Sequence, residues 1–295
     1  MTLGIQGITK FSQGVKWALG IVLILMSTDA ARAQESSSFS SHTRAVYNAV
    51  CATCHGTDGL GKTVGDNRFP SIAGLPTWYV KNQLILYKYD GRGAHHLDKE
   101  GLMMHAMIRA LKTDKEVEEM AAYIGNTLTK KKPYQPDPEL DPKHNVSLDI
   151  ENGRKIYTNA ESFLNCIRCH GENFEGKDID VPGEGGKILG SFKAPPLTSL
   201  EDWYMLSQLK KFMAKHRGEP AATVAGRRLK KGQADFRSPS YGPIQMQTMT
   251  LTAFAAQQDK EQAMKDVVAY IYKTAEEERI RAEKEAAKKL QKDKK

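Results

Sequence analysis

Apolar positions along this 295-residue chain recur mainly at helical spacing. Ala45, Val46, Ala49 and Val50 predict a short helix that also carries Tyr47, and Gly153, Ile156 and Tyr157 predict its counterpart further on. EVEEMAAYIGNTL around Tyr123 and AMKDVVAYIYKTA around Tyr270 predict two longer helices, each with one apolar face. Sustained period-two alternation is scarce, so few strands are expected. Three segments depart from this pattern. Residues 130–149 hold four of the twelve prolines and little apolar content, which predicts an extended linker. Residues 273–295 are almost entirely Glu, Lys, Arg and Ala, with helix propensity but almost no stripe to bury. That predicts a solvated helical extension, with a partner-binding arm as the alternative. Residues 17–26 form an uncharged apolar run after Lys10 and Lys16 and before Ala31-Arg32-Ala33. This predicts a secretory signal peptide cleaved after Ala33, too short to span a bilayer; an uncleaved anchor is the alternative.

The remaining chain repeats itself. FPSIAGLPTWYVKNQL in the first half answers APPLTSLEDWYMLSQL in the second. Pro70 and Pro195, Trp78 and Trp203, Tyr79 and Tyr204, and Gln83 and Gln208 are each 125 positions apart. Such repetition predicts duplicated domains, each with its own core. The expected division is a signal peptide (1–33), a first domain (34–132), a linker (133–149), a second domain with insertions (150–274) and a charged tail (275–295).

All four cysteines fall within CATCH at 51–55 and CIRCH at 166–170. C-x-x-C-H is the attachment signal for c-type haem. Two cysteines on one helical turn reach the two vinyl groups, and the next histidine faces the iron. Cys51, Cys54 and His55 therefore form one candidate set, and Cys166, Cys169 and His170 the other. A zinc ribbon would set its pairs roughly 15–20 residues apart; here 111 residues separate Cys54 from Cys166. Local disulfides would not require a histidine in both copies. Two covalently attached haem c groups are expected, in an exported protein with no cysteine left for structural disulfides.

A carrier of single electrons needs both axial positions of the iron filled, and methionine opposite histidine raises the potential. Asp114-Lys115-Glu116 and Asp259-Lys260-Glu261 open the last helix of each half, and ten positions before each aspartate stand Met104 and Met249. They are the expected sixth ligands. Met103, Met107 and Met246 are expected to pack, and His95, His96, His105 and His216 are the rival ligands. A haem-ligating imidazole donates its other N–H to an acceptor, and Pro70 and Pro195 lie where a backbone carbonyl could serve.

The formal net charge is +8, and about +6 once the signal is removed. Residues 210–237 hold nine basic and two acidic residues. They predict either a solvated loop or a docking surface for acidic redox partners. Nucleic acid is not an expected partner for an exported haem protein, and membrane contact is expected to be peripheral or through an uncleaved anchor.

With CATCHG, CIRCHG, the matched Pro–Trp-Tyr segments, MMHAMIRALKTDKEVEEMAAYI and MQTMTLTAFAAQQDKE in hand, the chain resembles class I cytochromes c, specifically the periplasmic dihaem c4 type, over roughly residues 43–274. The resemblance implies a mainly α fold of two tandem domains, each wrapping one haem. It also implies an electron shuttle between periplasmic redox partners or a respiratory complex such as a terminal oxidase. In the family pattern the ligand lies seven residues before a leucine, here Leu111, which selects Met104. The second half departs from the pattern: extra residues at about 175–192, a longer insertion at 213–241, and Ala256 in place of that leucine. Alternatives are a cytochrome subunit of a dehydrogenase complex, or a dihaem redox enzyme of peroxidase or thiosulfate-oxidising type.

Overall fold

The structure is a computed structural model that describes residues 39–129, 135–159, 161–162, 165–182, 184–218, 223–224, 227–228 and 241–292. The expected signal peptide and most of the basic insertion lie outside these residues. No described helix is long and apolar enough to cross a membrane.

The first half opens with α1 (Ser41–Val46), which runs through a π-helical turn (Tyr47–Cys51) into α2 (Ala52–His55). A two-stranded ribbon, β1 (Lys62–Val64) and β2 (Asn67–Phe69), follows. Helices α3 (Thr77–Lys88), α4 (Lys99–Ile108) and α5 (Asp114–Thr127) complete the half. Local chemistry sets these boundaries. The Asp98 carboxylate accepts from Gly101 N at the start of α4, and Thr113 and Glu116 form a reciprocal capping box on α5. The core gathers Tyr47, Val117, Met120 and Ala121, all fully buried, with Leu84, Ile108 and Ile124. Burying an aliphatic side chain of this size contributes about 1.5–3 kcal/mol.

The second half repeats the order. Helix α6 (Ile150–Thr158) is capped by Asp149, and α7 (Cys166–His170) by Asn165, whose side chain accepts from Arg168 N. Strands β3 (Asp178–Pro182) and β4 (Ile188–Lys193) form a longer antiparallel ribbon where the first half has its short one. The extra residues of the second half thus elongate an existing hairpin. Helix α8 (Asp202–Met213), the short pair β5 (Thr223–Val224) and β6 (Arg227–Arg228), α9 (Tyr241–Ala253) and α10 (Lys260–Lys292) follow. Tyr157, Phe174, Phe254, Val268 and Ile271 centre this core, and Leu200 packs against both cores.

Three of the expected segments take the following form in the folded chain. Ala45 and Ala49 are exposed, and the buried positions of the entry helix are Thr43 and Tyr47. A short hydroxyl side chain lets α1 approach α5 closely, with Thr43 Oγ1 donating to Glu119. The Pro-rich segment is not a free tether over its described part. Residues 135–149 turn back on the second half, where Leu140 is 2 % exposed within its core and Asp137 N donates to Asp202. The charged tail continues α10 without a break, and residues 281–290 are exposed.

Candidate haem sites

Both C-x-x-C-H strings fold as a single helical turn ending in a glycine. In each, the tyrosine of the preceding helix locks the end of the turn: Tyr47 Oη donates to Gly56 O and Tyr157 Oη to Gly171 O, each at 2.8 Å. Six residues past each histidine, a glycine N–H returns to the histidine carbonyl, Gly61 to His55 and Gly176 to His170. Both glycines have positive φ, and a Cβ there would stand 2.4 Å from Phe69 O and 2.2 Å from Ala194 O. Only glycine allows the returning strand so close. That strand carries the proline carbonyl the sequence pointed to: His55 Nδ1 lies 2.8 Å from Pro70 O, and His170 Nδ1 lies 3.0 Å from Pro195 O.

This geometry fixes the tautomer. With Nδ1–H donated to a carbonyl, Nε2 keeps its lone pair for a metal. Burial holds both imidazoles below the ordinary histidine value, against the opposing pull of those carbonyls, so both are neutral at neutral pH. Burial also raises the Cys51 thiol to about 11 and the Cys166 thiol to about 12, and raises Cys169. No disulfide joins any of the four cysteines. Among the described residues no group of three or more His, Cys, Asp or Glu side chains is placed to hold a metal ion. The four-ligand set of a structural zinc site is therefore not assembled there.

A cavity of about 300 Å³ opens beside the second turn. Cys166, Cys169 and His170 form one wall, and Met246 and Met249, three positions apart on α9, line it as well. The sequence separated these two methionines by repeat alignment, whereas the folded chain brings both to the cavity. Ser191, Phe192 and Lys193 of the elongated hairpin line it too, and Lys193 Nζ lies 5.4 Å from the Trp78 ring of the other half. In the first half Met104 is half-buried and packs against the core. Met103 and Met107 are 40 % and 44 % exposed, so neither is the packing residue expected. They share the exposed face of α4 with Leu102 and Ala106.

The rival histidines are engaged elsewhere. His105 Nδ1 approaches Gly93 O at 3.3 Å, and its Nε2 lies 3.3 Å from Asp90. His95 stacks on His96 and on His216, joining the two halves. Much of the described basic stretch is also occupied. Lys210 pairs with Glu261, Lys211 with Asp98 and Glu100, and Arg217 is buried.

Sequence reasoning missed Arg92 and Arg217. They are 125 positions apart, the same offset as Tyr79 and Tyr204 and as Gln83 and Gln208, and that offset was the signal available. In the structure these three pairs meet between the halves. Arg92 donates to Gln83 at 2.5 Å, to Tyr204 at 2.6 Å and to Gln208 at 3.0 Å. Arg217 mirrors it, donating to Gln208 at 2.6 Å, to Gln83 at 3.1 Å and to Tyr79.

Comparison with known families bears on the same turns. The family model described as Cytochrome c matches residues 41–128 and again 150–275. The chain belongs to the cytochrome c family. No curated protein matches it. Among solved structures it is similar to reduced recombinant cytochrome c4 from Pseudomonas stutzeri at 22 % identity, over 78 % of this chain and 95 % of that one, with a TM-score of 0.42. Cytochrome c4 from Acidithiobacillus ferrooxidans matches at 19 % identity, over 76 % and 98 %, with a TM-score of 0.41. The as-isolated thiosulfate dehydrogenase TsdBA from Marichromatium purpuratum matches at 20 % identity, over 75 % of this chain but 35 % of that one, with a TM-score of 0.44. As a cytochrome c with two family segments, this chain has two mainly helical cytochrome c domains, each with its own C-x-x-C-H turn.

Proposed function

We propose that this protein carries electrons between redox partners through two covalent haem c groups, each with histidine and methionine as axial ligands, and turns over no substrate. The carrying observation is the duplicated turn, in which a buried neutral imidazole donates Nδ1–H to a proline carbonyl and keeps Nε2 available. Haem supplies the one-electron couple. Cys51 and Cys54, and Cys166 and Cys169, anchor it. His55 and His170 would ligate its iron, and Met104 and Met249 are the other proposed ligands. The surrounding apolar side chains exclude water and so limit reorganisation when charge changes. The domain division at 34–132 and 150–274 is part of this reading.

An exported, periplasmic setting accords with residues 17–33 of the sequence and with cysteines reserved for haem. Partners are redox proteins of acidic surface, which the chain's charge of about +6, lowered by the four haem propionates, would steer at low ionic strength.

Visible and near-infrared spectra of the oxidised holoprotein test this. Two methionine–iron charge-transfer signatures are expected, with one lost in Met104→Ala and the other in Met249→Ala. Loss in Met246→Ala instead would reassign the second ligand, and a high-spin ferric iron in the unmodified protein would overturn the closed-site carrier.

A further inference from the structure

A stack of three imidazoles crosses the domain boundary. His95 and His96 stand in the turn between α3 and α4 of the first domain, and His216 follows α8 in the second. The His95 ring lies between the other two, 4.7 Å from His96 at an interplanar angle of 22° and 4.4 Å from His216 at 21°. His95 and His216 are half-buried and His96 is exposed, so protons reach the stack from solvent. Leu97 N–H donates to His95 Nδ1 at 3.2 Å, so that atom holds a lone pair in this arrangement. A proton added there removes the acceptor and sets two N–H groups against each other.

The charges around the stack are unequal before any ring is protonated. The first-domain turn and the start of α4 bring buried Arg92 and Asp98 with exposed Lys99 and Glu100. Helix α8 and the turn after it bring Lys210, Lys211, exposed Lys215 and buried Arg217. Lys211 pairs with Asp98 and Glu100, and Lys210 with Glu261. His105 of α4 is held on Gly93 O and Asp90. In the groove beside His216, Arg68 pairs with Asp137, and Glu139 with Lys265. Helix α9 adds Gln247, which donates to Arg217 O, and no charged residue. Two carboxylates thus face Lys211 and two guanidiniums, and the contact carries surplus positive charge with all three rings neutral. Imidazolium at stacking distance adds like charge to it. Burial first, and then His95, hold His216 below the ordinary histidine value against the pull of Asp98.

We propose that the His96–His95–His216 stack is a pH-sensitive latch at the edge of the domain interface, closed while the rings are neutral and opened by their protonation. Docking lowers the proton affinity of His216, so docking is strongest above the ordinary histidine value of about 6.5 and weakens as pH falls through it. Protonation of His95 at Nδ1 also costs the turn its bond from Leu97. Glu100 does not contribute over that range: its burial is opposed by Lys211, which holds the carboxyl below its ordinary value. On the carrier reading, the latch sets how closely the two cofactor domains are held, and hence how fast an electron crosses between them. That consequence rests on the two-haem reading; the latch itself does not.

Hydrogen exchange of the full-length reduced protein, read by mass spectrometry and corrected for the intrinsic pH dependence of exchange, tests the latch. Between about pH 7.5 and about pH 5.5, amides of residues 93–98 and 214–218 should gain about tenfold in exchange relative to those of α5. In the double variant His95→Gln, His216→Gln the change should fall within about twofold. His216→Lys, with a permanent charge in the stack, should exchange fast at both pH values. An unmodified protein whose exchange stays within about twofold would overturn the proposal. So would a double variant that keeps the tenfold response, which would assign it to His105. Proton NMR of the unmodified reduced protein decides the matter even if every variant fails to fold. The His216 ring should titrate below about 6.5, losing its contacts to His95 over the same range, and a midpoint at or above that value would overturn the latch. An alkaline pyridine spectrum without haem would remove only the consequence for electron transfer.

Discussion

The attachment turn at 51–55 and the one at 166–170 share the same internal bonds within a few tenths of an ångström. Tyrosine to glycine carbonyl, glycine N–H to histidine carbonyl and histidine to proline carbonyl recur in both. What stands around them differs. Four residues past His55 is Gly59, at φ +72°, where a Cβ would meet Leu128 Cδ1 at 2.9 Å. Four residues past His170 the corresponding position is Phe174, a fully buried phenylalanine held at φ +61°. Its ring lies between Tyr157 and Tyr270, at 5.2 and 5.9 Å. The first domain fills that volume with Leu128 at the C-terminal cap of its last helix, and the second fills it from the loop itself. The left-handed backbone conformation costs a non-glycine residue roughly 1–2 kcal/mol, which burial of the ring offsets. The bonds that present the imidazole are therefore kept, while the packing beneath them has been exchanged.

That contrast can be broken most sharply at Phe174. Phe174→Ala should destabilise the second domain by about 4 kcal/mol through the cavity it leaves, read as a lower denaturant midpoint. Gly59→Ala should cost the first domain about 1–2 kcal/mol, from backbone conformation and the Leu128 contact. Equal losses would show that the two loops carry the same packing after all.

The helix crossings form a second test. Gly153 of α6 sits where a Cβ would stand 2.1 Å from Asp266 O of α10, whereas the first domain places Thr43 at its crossing and bonds it to Glu119. Gly153→Ala should cost about 2–3 kcal/mol, because backbone must move. Thr43→Ala should cost about 1 kcal/mol, the worth of one hydrogen bond and a methyl group. Thermal unfolding of the holoprotein, followed through each haem band, separates the two.

The smallest difference is expected where the domains agree. Tyr47→Phe and Tyr157→Phe each remove one buried donor to a glycine carbonyl, and each should cost about 1–2 kcal/mol. A gap above about 1 kcal/mol between them would mean that the two turns are not equivalent supports. Both phenols are pushed far above the tyrosine range by burial, so neither loss should vary with pH through neutrality.

Much of this was legible in the sequence because it is local or periodic. The C-x-x-C-H spacing dictates one helical turn, a fixed 125-residue offset exposes Pro70 and Pro195, and the apolar stripes around Tyr123 and Tyr270 give the closing helices their buried faces. The entry helix was legible from the spacing of Ala45, Val46, Ala49 and Val50, but its buried positions, Thr43 and Tyr47, were not, because the crossing uses a short side chain able to bond Glu119. The choice between Met246 and Met249 was made by alignment, and both reach the same cavity because they stand three residues apart on one helix face.

By itself, then, the sequence determined the duplicated attachment chemistry, since the bonds that orient each imidazole span at most 25 residues and depend on residue type and spacing. Tertiary structure alone decided what lies between the domains. Arg92 and Arg217 read as two ordinary basic residues, one of them inside a basic stretch, and nothing local distinguishes a solvated guanidinium from a buried one. Their burial arises only when α3 and α8 bring Gln83 and Gln208 together across the interface. A charge acquires its meaning from the dielectric and the partners around it, and those are supplied by segments more than a hundred residues away.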